Sequence, residues 1–175
     1  MTVYNGHHQV HCMQFESTTF PDGMIGDCFG PLPGRFHDQL VDDLSLTNER
    51  LAACQIGNIF QGSRYNDKGY VSKSHTHVAF RGNNLPVALR ASNDTMSPQR
   101  VIVEMSFCKI VTNSAFIDNH KVQKIQLSQV GKLFWLAVIL SNCSTCLYGG
   151  GSISSAWKLI PPTLGHYFGR PDITF

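Results

Sequence analysis

The sequence is short of charge. Asp, Glu, Lys and Arg make up 15% of its 175 residues, and the formal net charge is only +2. That is too little to steer the chain toward a polyanion unless basic residues are locally concentrated. A long apolar run is also missing. The longest, "LFWLAVIL" from Leu133 to Leu140, is shorter than the ~20 residues a bilayer span needs, so no membrane partner is expected. The opening "MTVYNGHHQVHC" has no basic stretch followed by an apolar one, and no secretory leader is read there. No Gly-rich phosphate loop, Gly-x-Ser-x-Gly elbow or Cys/His/Asn set stands out. There is no internal repeat and no low-complexity tract.

What is present suits one domain with a real core, since hydrophobic residues make up 42% of the chain. Six cysteines occur, and without a leader the expectation is reduced, mostly buried thiols. Only "CSTC" at Cys143–Cys146 has metal or redox spacing. It lacks a second Cys or His pair and follows an apolar helical run, so it reads as a packed helix end.

Alternation in "QVHCMQFEST" predicts a strand with Val10, Cys12 and Gln14 on one face and His11, Met13 and Phe15 on the other. Pro21-Asp22-Gly23 is a strong turn signal and predicts a hairpin of Gln9–Phe20 with Met24–Phe29, ended by "GPLPG". "HDQLVDDLSLTNERLAACQ" predicts a helix broken near "SLTNE", with Thr47 capping a new turn. "IGNIFQGSRY" predicts a short strand, interrupted by glycines, that delivers the chain to Asp67. Residues 74–84 read as a loop. Ser97 and Pro98 predict a helix start, with a core-facing stripe of Val101 or Ile102, Met105, Cys108 and Val111. A second helix, about Leu127 to Leu147, is apolar nearly all round and is expected to be largely buried. After "GGGSIS" a tail with few elements is expected. The element order is α/β with a mixed sheet.

Two carboxylates stand out. Asp67 follows a strand in "RYNDKGY", and Glu104 lies on the apolar-faced helix, with Arg100 one turn before it. Hard divalent cations take carboxylate oxygens, and two such ions can clamp the attacking and leaving oxygens of a phosphodiester. The plainer reading is a surface Glu104, or one paired with Arg100.

Five segments come in the order seen in one family: "YNGHHQVHCMQFESTTFPDGMIGDCFGPLPGRFHD", "YNDKGYVSKSH", "SPQRVIVEMSFCKIV", "VGKLFWLAVILSNCSTCLYG" and "PPTLGHYF". As a set they resemble Harbinger-type DDE transposases, the transposon-derived DDE superfamily endonucleases, from Tyr4 to Phe168. The resemblance implies a ribonuclease-H-like fold whose acids bind two divalent ions, Mg²⁺ or Mn²⁺, for DNA cleavage and strand transfer. It assigns the second acid to Asp67 in "NDKGY" and the third to Glu104 in "RVIVE". It makes His37 and Asp38 of "GRFHD" and Arg100 supporting residues, with Asp38 either a further metal ligand or a helix cap. The family's first acid stands in an Asp-Gly-Thr motif upstream of the matched region. The expectation is therefore a domain at 4–148 lacking its first central strand, followed by a tail at 149–175. DNA (transposon ends) and a Myb-like DNA-binding protein are the implied partners, and the nucleus the implied location. The rival reading is a non-catalytic DNA- or protein-binding remnant, or an inactive transposon relic.

Of the remaining polar residues, His7, His8 and His11 read as a solvated strand start rather than a metal or phosphate site. His75 and His77 would share a face if extended. Lys73, His75 and Arg81 are candidates for DNA phosphates under the nuclease reading. Lys121, Lys124 and Lys132 read as a solvated face. Phe134 and Trp135 are expected in the core.

Overall fold

The short strands β1 (Tyr4–Asn5) and β2 (Val10–His11) pair antiparallel, Tyr4 opposite His11. They lead into a hairpin of β3 (Met13–Thr19) and β4 (Ile25–Pro33). The chain's computed structural model describes residues 3–7, 9–56, 60–117 and 129–169. The predicted turn forms, closed by Phe20 N–H donating to Met24 O at 2.8 Å and by the Asp22 carboxylate accepting from Met24 N–H at 2.9 Å. Gly23 sits at φ 88, where a side chain is strained, and a Cβ there would stand 2.9 Å from the Gly150 Cα. The hairpin is offset from its prediction. β4 continues through "GPLP" to Pro33, past a cis Gly30–Pro31 bond. Proline is tolerated in a strand whose N–H side is unpaired.

The helix break falls where expected. α1 (Asp38–Ser45) ends at Leu46 with φ 53, and α2 (Thr47–Ala53) follows. The N-cap of α2 is Leu46, not Thr47. The Thr47 hydroxyl is buried beside the Ser45 hydroxyl at 2.7 Å and accepts from Arg50 at 3.0 Å. β5 (Gln55–Ile56) pairs antiparallel with β6 (Phe60–Gln61). Residues 57–59 of the predicted strand lie outside the described residues. β7 (Arg64–Asn66) then pairs in parallel with β8 (Thr76–Val78), within the stretch read as a loop.

α3 (Val87–Asn113) begins a full three turns before the predicted start, and Pro98 is inside it. Ala88, Leu89 and Ala91 are good helix formers and Pro86 stands at the entry, so local propensity outweighs one missing interior N–H. Its inward stripe also differs from the predicted one. Ser106 and Ile110 are buried, while Val101, Met105, Cys108 and Val111 are exposed. A 3₁₀ turn (Ala115–Ile117) precedes α4 (Val130–Tyr148), and α5 (Gly151–Trp157) and α6 (Leu164–Tyr167) give the tail more structure than expected. The described residues thus form a mixed α/β chain with four two-stranded pairings.

The chain divides into two compact units. One is Met1–Glu16 with Phe29–Val101, and the other is Ser17–Cys28 with Ile102–Phe175. In the first, Val41 and Ala79 are the only buried hydrophobic residues among those described. Its interior is polar instead. In the second, α4 supplies the core through Val130, Phe134, Ala137 and Val138, with Ile110, Ile117 and Ile153. α4 is not buried all round. Its buried face carries Ser141, Asn142 and Thr145, while Trp135, Leu136, Ile139, Leu140 and Leu147 are exposed. Polar residues are accommodated on the inner face where they find partners there: Thr145 accepts from Lys109 at 2.8 Å and donates to Ser141 O at 3.0 Å. By length and composition α4 could cross a membrane (mean hydropathy 1.5, a third of that window buried), a test that core helices also pass.

Candidate functional site

β7 and β8 run in parallel, and ligand sites in α/β folds gather at the carboxyl ends of such strands. Asp67 is the first residue beyond the carboxyl end of β7. Its carbonyl accepts from Tyr70 N–H at 3.1 Å, which folds "DKGY" into a turn, and its carboxylate accepts from Lys68 N–H at 2.6 Å. The carboxylate is about half exposed and lies 3.3 Å from the guanidinium of Arg100 on α3. Arg100, read from sequence as a partner for Glu104, therefore reaches Asp67. Glu104 is exposed, one turn further along α3 in the part of the helix that belongs to the second unit.

Asp38 is near this turn. It is the first residue of α1, with His37 as N-cap, so the predicted cap falls one residue early. An acid in the first turn still complements the helix dipole. Gln14 donates to the Asp38 carboxylate at 2.8 Å, and a Cβ on Gly69 would stand 2.9 Å from its other oxygen. A larger residue at position 69 would push the Asp38 carboxylate aside. His37 is exposed and makes no side-chain capping bond.

Tyr70 joins these acids. Burial raises its hydroxyl above the ordinary value of 10.0, and the charges of Glu16, Asp38 and Asp67 add to the rise against Arg64. The folded state therefore favours the neutral phenol. That contribution is complete below pH 10 and is lost as pH rises through and beyond it. Thermal unfolding between pH 9 and 11 checks this. Tyr70→Phe should lose less stability across that range than the parent chain, and equal losses would rule the role out.

The basic residues proposed for phosphates are engaged inside the first unit. Lys73 Nζ lies 2.7 Å from both Asp42 and Asp43, and this contact holds the Asp43 carboxyl below its ordinary range. Arg81 donates to Lys68 O. His75 is buried, with its Nδ1 2.9 Å from Gly62 O, whereas His77 is exposed, so the two do not share an environment. His7 is exposed and His11 packs edge-on to Tyr4 at 5.2 Å. His8, Lys121 and Lys124 lie outside the described residues, and Lys132 is exposed. All six cysteines are free thiols. Trp135, expected in the core, is 40% exposed.

Sequence reasoning missed a buried charge quartet. Arg64 donates to Glu16, to Asp42 and, at 3.1 Å, to Thr76, while Lys73 takes the second Asp42 oxygen. Two acids and two bases make up the quartet, and the exposed Asp43 adds a third carboxylate against Lys73. Glu16 continues the period-2 face of Cys12 and Gln14, so a charged residue at that register was the available signal.

Among the described residues, no three His, Cys, Asp or Glu side chains come together as ligands for a metal ion. The cation beside Asp67 is a guanidinium. This donor set does not fit the two-ion centre implied by the resemblance. Comparison with protein-family models, curated proteins and solved structures found no match.

Proposed function

We propose that the chain derives from the catalytic domain of a DDE-type, Harbinger-like endonuclease with a ribonuclease-H-like fold, and engages DNA without cutting it. One observation carries the reading. Asp67 lies at the carboxyl end of a parallel strand, in the turn that the motif "NDKGY" implies, and faces Arg100 of the "RVIVE" helix. Asp38 of "GRFHD" borders the same turn through Gly69. Three separate motifs of the resemblance thus meet around one bend. Arg100 stands where a divalent ion would meet Asp67, which is why cleavage is expected to be absent; DNA as the partner is carried over from the resemblance.

Two assays test this. Supercoiled plasmid incubated with the protein and Mn²⁺ should remain intact. Gel-shift affinity for duplex DNA should fall steeply between about 50 and 200 mM salt as counterions are reclaimed. Mn²⁺-dependent nicking that Asp67→Ala and Glu104→Ala both abolish would show a working nuclease. No shift at low salt would remove DNA as the partner.

A further inference from the structure

Three sulfurs gather in the second unit, and the endonuclease reading uses none of them. Cys143 and Cys146 are the pair whose spacing stands out in the sequence. α4 carries both, three positions apart, which makes them neighbours on a helix surface. Met24, just before β4, supplies the third sulfur. Its thioether lies 3.9 Å from the Cys146 thiol. All three residues belong to one compact unit.

The surroundings suit an ion. Met24 is 5% exposed, so packing fixes its place. Cys143 and Cys146 are free thiols, only partly buried, and remain within reach of an incoming ion. Burial raises the Cys146 thiol above its ordinary value, and the charges of Cys143 and Asp22 add to the rise. A bound cation offsets these negative charges and deprotonates the thiols it ligates.

The spacing suits a metal as well. With metal–sulfur bonds of about 2.3 Å, three sulfurs in a plane around one ion stand about 4.0 Å apart. Thiolate and thioether ligands together select Cu(I). A structural zinc site needs four ligands, and among the described residues no third His, Cys, Asp or Glu joins the cysteine pair.

We propose that Met24, Cys143 and Cys146 hold one Cu(I) ion, which ties the β3–β4 hairpin to α4. Binding forms two copper–thiolate bonds and one copper–thioether bond and releases the two thiol protons. The copper stays Cu(I) and no electron moves. The plain alternative is a weak S–H···S contact at a helix end, which gives no more than the affinity of isolated thiols.

The protein is prepared as Cys12→Ser/Cys54→Ser/Cys108→Ser, which removes the other thiols that reach solvent and leaves the buried Cys28. Under anaerobic conditions it is titrated against Cu(I) held as its bicinchoninate complex. It should withdraw one Cu(I) per chain, and X-ray absorption should show three sulfurs at about 2.3 Å from the copper. Cys143→Ser and Cys146→Ser should each weaken binding at least about a hundredfold, and Met24→Leu about tenfold with the loss of one sulfur. No uptake from the chelator, uptake unchanged by either serine substitution at 143 or 146, or an unchanged affinity and sulfur count in Met24→Leu would overturn the proposal. Circular dichroism checks the fold of each variant. Where a substituted chain does not fold, the sulfur count around one equivalent of Cu(I) on the unsubstituted chain decides, three upholding the site and two overturning it.

Discussion

Replacing Arg64 with alanine destabilises the chain by about 3–5 kcal/mol, the range for removing one partner of a buried ion pair. The reason is the geometry around it. Arg64 is 8% exposed, Glu16 7% and Asp42 1%. Without the guanidinium, Glu16 keeps no ion pair among the described residues, and its second oxygen is already buried without a hydrogen bond. Asp42 retains Lys73 at 2.7 Å, so Glu16 bears most of the loss. The unit has few buried hydrophobic residues to offset it. Replacing the group together, as Arg64→Met with Glu16→Met and Asp42→Leu, should recover most of the stability, because apolar packing then replaces three desolvated charges. Urea unfolding followed by circular dichroism measures both. A cost below about 1 kcal/mol for Arg64→Ala would mean the charges are solvated and the polar core is misread.

The second large effect is expected at Asn142. Its amide satisfies both backbone groups of Ile25, which is 7% exposed, and Asn142 itself is 2% exposed. Asn142→Leu leaves a buried N–H and a buried C=O without partners, at about 1–3 kcal/mol each. The sum is about 2–6 kcal/mol, reduced where the strand shifts to find water. Asn142→Asp keeps the acceptor for Ile25 N–H and loses the donor to Ile25 O. It also brings a carboxylate against that carbonyl, so it is expected to be no better than Leu. Both tryptophans lie in the second unit, which makes their emission the readout. A midpoint that does not move with Asn142→Leu would show that the hairpin does not depend on α4 for its hydrogen bonds.

Much of the local structure was legible. Pro21-Asp22-Gly23 specifies a turn through fixed and permissive backbone angles, and the break at Leu46 follows from polar residues interrupting an apolar stripe. The bend at Asp67 was legible as well. The errors share a cause. Pro98 points to a helix start because proline favours the first helical position, yet "VALRASNDTM" already holds the helix before it. The apolar content of α4 points to a buried helix, whereas its inner face carries Ser141, Asn142 and Thr145, and the Asn142 amide and Thr145 hydroxyl find partners inside.

By itself, the sequence determined the turns, the helix break, the existence of α4 and the motif order on which the family resemblance rests. These depend on neighbours within a few positions, where backbone angles and side-chain period act. Tertiary structure alone decided that Arg64 meets Glu16 and Asp42 across 48 and 22 positions, that Arg100 faces Asp67, and that Asn142 binds Ile25 across 117. No local period encodes such pairs. They form because a charge or amide taken out of water must find its complement, and only the folded chain brings that complement within reach.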